Sequence, residues 1–134
     1  MSAFSNYYAN KIIDATLRNT SFALPSTVYL GLFTSATGLD TDTLGTATEV
    51  STSGTAYARK SITFAAPTNG VTAPAADVEF IEATGNWGTV THVAILDAAT
   101  GGHVVYWAAL SSPKAITAGD AARFKTTTLS VTVS

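Results

Sequence analysis

The stretch GNWGTVTHVAILDAATGG, residues 85–102, sets a histidine between two pairs of glycines. His92 is one of two histidines, the other being His103. A histidine there could ligate a metal or act as a base, and glycines could cradle an anion at a helix start. Suppose DAATGG, residues 97–102, is a hairpin connection opened by Asp97 with Gly101 left-handed. Leu96 then pairs with His103, and His92 with Trp107. His92 lies about 13 Å along the strand from Leu96, at ~3.3 Å per residue. A shared zinc needs both ring nitrogens within about 2.1 Å of one ion. The two histidines therefore cannot chelate together in this register. His92 is expected instead as a cross-strand partner of Trp107. No helix follows Gly85, Gly88, Gly101 or Gly102, so no phosphate cradle is expected.

Other chemistries meet similar obstacles. DTDTLG, residues 40–45, begins like a calcium loop with Asp40, Asp42 and Gly45. Leu44 and Ser51 stand where that loop needs oxygen ligands. A looser oxygen set of Asp40, Asp42 and Glu49 is the remaining cation candidate. Glu79 and Glu82 resemble a carboxylate pair for glycoside cleavage, but a spacing of three puts them on opposite faces of a strand. No G-x-S-x-G elbow is present. The chain has no cysteine, which removes disulfides, thiolate zinc sites and a thiol nucleophile. Tyr57, Trp87, Tyr106 and Trp107 could form an aromatic platform for sugars, although a β-sandwich should turn half of such residues into its core. No catalytic residue, cofactor site or metal site is assigned.

A length of 134 residues suits one domain over 1–134 with a real core. Charged residues make up 12%, with a net charge of −2. That is not the basic footprint of a nucleic-acid binder. No apolar run reaches the roughly 18 residues of a membrane helix, and MSAFSNYYANKIID lacks an apolar leader core. The Asn19, Thr20, Ser21 triplet reads as chance.

The elements that would position these residues are mostly strands. One N-terminal helix is expected within residues 1–21, with Ser5 as cap and Asn19 to Ser21 as its end. Phe4, Tyr8, Ile12 and Ala15 form an apolar stripe that Ile13 and Leu17 widen. That stripe packs on the chain's own sheet, or else docks on a neighbouring subunit. TVYLGLF (27–33) reads as a strand with Val28, Leu30 and Leu32 on one face, and Gly31 leaves room for a close neighbour. Residues 34–56 have almost no large apolar groups and read as a long surface loop. ARKSITFAA (58–66), DVEFIEAT (77–84), the opening stretch and HVVYWAAL (103–110) read as further strands. PTNG (67–70), a turn around Ser112 and Pro113, and Ala118 to Asp120 punctuate them. ARFKTTTLSVTVS (122–134) closes the chain, with Leu129, Val131 and Val133 on one face. The fold class is mainly β: an antiparallel β-sandwich or jelly-roll-like barrel with one N-terminal α-helix.

AFSNYYANKIIDATL, VYLGLFTS, YARKSITFAAPTNG and ATGNWGTVTHVAILDAATGG follow one another in that order. Together they resemble a family of small virion structural proteins of tailed bacteriophages, described as capsid decoration or tail-fibre proteins. The resemblance implies a non-enzymatic structural protein, a compact β-sandwich and a homotrimer. The favoured placement is a cement protein on the outer surface of the capsid. It would bind the major capsid protein after synthesis in the bacterial cytoplasm. The alternative is a tail-fibre, baseplate or tail-tip component with host-glycan contact. Phe4, Tyr7 and Tyr8, together with Asp40, Asp42 and Glu49 of the long loop, are the expected subunit or capsid contacts. Neither nucleic acid nor membrane is an expected partner.

Overall fold

The computed structural model of the chain describes residues 2–126 and 131–132. The element order is β1 (Ser2–Phe4), α1 (Asn6–Leu17), β2 (Val28–Phe33), β3 (Lys60–Ile62), β4 (Val71–Thr72), β5 (Val78–Glu79), β6 (Gly88–Leu96), β7 (Val104–Ile116), β8 (Arg123–Phe124) and β9 (Val131–Thr132). Five strands form one antiparallel sheet in the order β1-β7-β6-β2-β3. Two two-stranded ladders, β4-β9 and β5-β8, accompany it. The fold is mainly β with one short helix, consistent with a β-sandwich.

Ser5 is the helix cap, as expected: its side chain accepts a hydrogen bond from the Tyr8 N–H. Its hydroxyl also donates to the Val104 carbonyl, so the cap ties the helix to β7. Phe4 lies outside the helix, in β1, paired with Tyr106. The cap sets this boundary, because the residue before it keeps an extended backbone. At the other end Asn19 turns left-handed (φ 51), and Thr20 N–H returns to the Asp14 carbonyl. The apolar stripe is not packed away. Tyr8 is the one buried helix residue, while Ile13 is 50% and Leu17 80% exposed.

Alternation in β2 works as the sequence implies. Leu30 and Leu32 face one core with Val93, Trp87 and Ile116. Phe33 faces another with Leu96, Val104 and Trp107. A side chain at Gly31 would meet Leu96 Cδ1 at 2.8 Å, so the close neighbour there is a core leucine. In the 77–84 stretch, Val78 and Phe80 point inward.

Three further expectations differ from the structure. Residues 34–56 are not a bare surface loop. Leu39, Val50 and Thr55 are buried, Leu44 and Ala47 pack on the cluster that holds Leu39, and Thr34 and Val50 N–H donate to Thr48 and Leu32 carbonyls. Small residues let this flap lie close to the sheet, and these few buried side chains suffice to anchor it. Next, no turn occurs at Ser112 and Pro113. β7 runs through them to Ile116, with residues 110–113 opposed only by Thr91 of β6. The bulge accommodates a proline that has no N–H to donate. Lastly, the hairpin register is shifted: Leu96 pairs with Val104, not His103. His92 therefore faces Ala109, and Trp107 faces Ala94. Leu129 and Val133 lie outside the described residues.

Candidate functional site

All the expected contact residues but Glu49 lie where α1, the 34–56 flap and the β6–β7 hairpin meet. Asp97 organises that hairpin. Its backbone N–H donates to His103 C=O at 3.2 Å, and its Oδ1 accepts from His103 N–H at 2.7 Å. Gly101 and Gly102 take φ of 62° and 74°, and a side chain at Gly102 would strike Asp97 Oδ1 at 2.4 Å. The glycines are there so that the carboxylate can close the turn.

Tyr8 donates its hydroxyl to the other Asp97 oxygen at 2.8 Å. Burial, reinforced by Asp97, pushes that hydroxyl well above the ordinary phenol value. Tyr7 is partly exposed and stacks flat on His103, ring centres 3.9 Å apart. His103 Nδ1 lies 2.6 Å from Asp42 Oδ2, and Asp42 Oδ1 accepts from Val104 N–H at 2.7 Å. Asp40 accepts from the Trp107 indole at 3.3 Å, and its carbonyl from Asn6 N–H at 2.8 Å. Phe4 meets Tyr106 edge-on at 4.9 Å.

Glu49 belongs to a second cluster, built on β2 and the start of β3. Arg59 Nε and one terminal nitrogen reach the two Glu49 oxygens at 2.8 Å each, a forked pair. The other terminal nitrogen donates to Ala98 and Gly101 carbonyls at 2.9 and 2.8 Å. Tyr57 donates its hydroxyl to Glu49 at 2.6 Å and accepts from Leu32 N–H at 3.0 Å. Burial, then the Glu49 charge, holds the Tyr57 hydroxyl far above its usual range. For Arg59, burial opposes the charge, but the Glu49 hydrogen bonds and charge outweigh it and hold the guanidinium pKa up. Arg59 thus fastens the flap to the hairpin tip, and Tyr57 ties the same carboxylate to β2.

Of the sequence candidates, Tyr8, Asp42, Asp97 and His103 are brought together, with Tyr7 and Asp40 adjoining. Glu49 stands apart with Arg59. Among the described residues no three His, Cys, Asp or Glu side chains form a metal-holding group, so Asp40, Asp42 and Glu49 do not converge on a cation. His92 is the diagonal neighbour of Trp107 rather than its direct partner, with ring centres 6.1 Å apart. Desolvation lowers the His92 imidazole below its usual value.

The aromatic platform is absent from the surface. Tyr57, Trp87, Tyr106 and Trp107 are 4, 4, 5 and 7% exposed. Trp87 donates its indole N–H to the Thr55 carbonyl at 2.8 Å and stands edge-on to Tyr57 and Phe80. A side chain at Gly85 would meet the Gly54 carbonyl at 2.5 Å, and Gly88 takes φ 83°. The glycine bracket around Trp87 seats a core plug and does not form a ligand cradle.

These side chains hold segments of the chain to one another; they do not surround a substrate. A family model described as podophage GP4 fiber I protein gp80 matches residues 3–132. The chain belongs to this family. Its members are described as phage fibre proteins, so the chain falls within a phage virion structural family. The comparison with curated proteins gives no match. That fibre description favours the tail over the capsid surface, the reverse of the order expected from sequence. The fastener that sequence reasoning missed in this gp80-family chain is Arg59, one of two adjacent cations with Lys60.

Proposed function

We propose that this chain is a subunit of a phage tail fibre, acting by assembly and presentation and not by catalysis. The observation that carries the reading is the fibre-family match across residues 3–132. The site geometry supports it. Asp42, Glu49, Asp97 and His103 are each engaged by a neighbour within the chain. Such bonds stiffen a scaffold whose outward loops are rich in Thr and Ser. A host-glycan contact through Tyr57, Trp87 and Trp107 is dropped, because all three are buried.

In this reading the chain lies in the virion, joined to further copies of itself. The homotrimer remains part of the proposal. A capsid-bound placement would instead require contact with the major capsid protein. Gold-labelled antibody against the chain, applied to intact particles, separates the two. Label at the tail is expected. Label spread over the head would overturn the reading.

A further inference from the structure

Beyond the network that fastens the chain to itself, two surface features are complementary. The first is a groove of about 640 Å³ between the five-stranded sheet and the β8 strand. Ile62, Phe64, Leu110 and Phe124 give it an apolar lining, and Lys114 and Arg123 stand beside them. Among the described residues, no Asp or Glu side chain lines it. Asp77 takes Arg123 at 2.8 Å. Lys114 lies 5.3 Å over the Phe124 ring, and no carboxylate pairs with it among the described residues.

The second feature is the outer edge around β5. Ile81 is 63% exposed. It is flanked by Glu79 and Glu82. The chain has nine acidic side chains. Asp14, Asp42, Glu49 and Asp77 pair with Arg18, His103, Arg59 and Arg123. Asp40, Asp97 and Asp120 accept from Trp107, Tyr8 and Thr117. Glu79 and Glu82 alone have no such partner among the described residues. The unpaired acids thus bracket an exposed aliphatic side chain, while the groove joins an apolar lining to an ammonium without a carboxylate.

We infer that the Glu79, Ile81, Glu82 edge of one copy seats in the groove of a second copy. Ile81 enters the apolar lining, and Glu79, which alternates to the same exposed side, meets Lys114. Charge complementarity selects the occupant: the groove lacks anions, and this edge supplies them. The inference deepens the fibre reading by naming a contact between subunits. It also stands or fails separately, since it concerns self-association of the purified chain, whereas the fibre reading concerns position on the particle.

The test measures molar mass by light scattering and sedimentation across concentration. The full chain is expected to self-associate, and Ile81→Arg and Lys114→Glu each to weaken that association about tenfold or more. An equimolar mixture of the two variants should regain at least a 1:1 pair, because each supplies the half the other lacks. A monomeric wild-type chain would overturn the inference, as would variants with unchanged mass or a mixture that stays monomeric. Thermal melts check that the variants fold, and Ile81→Thr provides a milder second change. The absence of native cysteine allows an independent readout. Ile81→Cys and Ser112→Cys chains, mixed and oxidised, should cross-link faster than Ile81→Cys mixed with Thr100→Cys. Equal rates would count against the contact.

Discussion

On one face of the five-stranded sheet, Trp87, Phe80, Tyr57 and Phe124 form a chain of ring contacts over Leu30, Leu32 and Val93. On the other face, Phe33, Leu96 and Trp107 are covered by a flap of Thr, Ser, Gly and Ala that offers mainly Leu39. The first face is held by area. Large side chains from several strands interlock, and each fully buried one contributes about 1.5–3 kcal/mol. The second is held by named polar bonds: Arg59 to Glu49, Asp42 to His103 and Val104, and Ser5 to Val104. No buried side-chain polar atom among the described residues lacks a partner. A cover held by a few bonds can be released locally, whereas an interlocked core fails as a whole.

Trp87→Ala should have the largest effect, a loss of about 3–5 kcal/mol. It should lower the melting temperature and raise amide exchange throughout β2, β6 and β7 together. If exchange rose only near Trp87, the claim of an interlocked face would be wrong. Arg59→Met comes next, at about 2–4 kcal/mol, because it leaves the Glu49 carboxylate partly buried and unpaired. Its exchange signature should be confined to residues 34–56 and the hairpin tip. Uniform loss of protection would erase the contrast between the faces.

A smaller effect concerns pH. Desolvation lowers the folded-state pKa of His92 below its usual 6.5. As pH falls, the unfolded chain takes up that proton first. The stability due to the neutral ring is complete above the unfolded value and is lost as pH falls through the folded one. Melting temperatures at pH 7.5 and 5 should therefore differ less in His92→Gln than in the wild type. An unchanged slope would remove His92 from the account. The smallest effect belongs to Leu17→Ala, on an exposed helix position, which should change stability by no more than about 0.5 kcal/mol. A larger loss would mean that α1 is anchored beyond its first turn.

The two faces also differ in how far the sequence announces them. Part of the aromatic face is legible: alternation in VYLGLF sets Leu30 and Leu32 on one face, as found, whereas DVEFIEAT left either set of its side chains free to face the core. The Ser5 cap and the Asp97 turn follow from short-range rules and were equally visible. The flap is not legible, because Leu39, Leu44 and Val50 stand singly in a polar stretch and the burial of Leu39 depends on Phe33 and Leu96 folding beneath it. The Arg59 fork joins residues 10 and 42 positions away, and no local pattern encodes such distances. The His92 register failed for a related reason. Leu96 pairs one residue further on, with Val104, and an irregularity between Ile95 and Leu96 adds a second residue, so a pairing counted from the turn alone is offset by two.

The central claim, a tail-fibre subunit, is tested most directly by its partition and copy number in the particle. Heads and tails separated from purified virions can be quantified for this chain against the major capsid protein by mass spectrometry. The account predicts the chain in the tail fraction, at a small fraction of the capsid protein's abundance. Recovery with the heads, at an abundance comparable to the capsid protein, would contradict it and return the chain to the capsid surface.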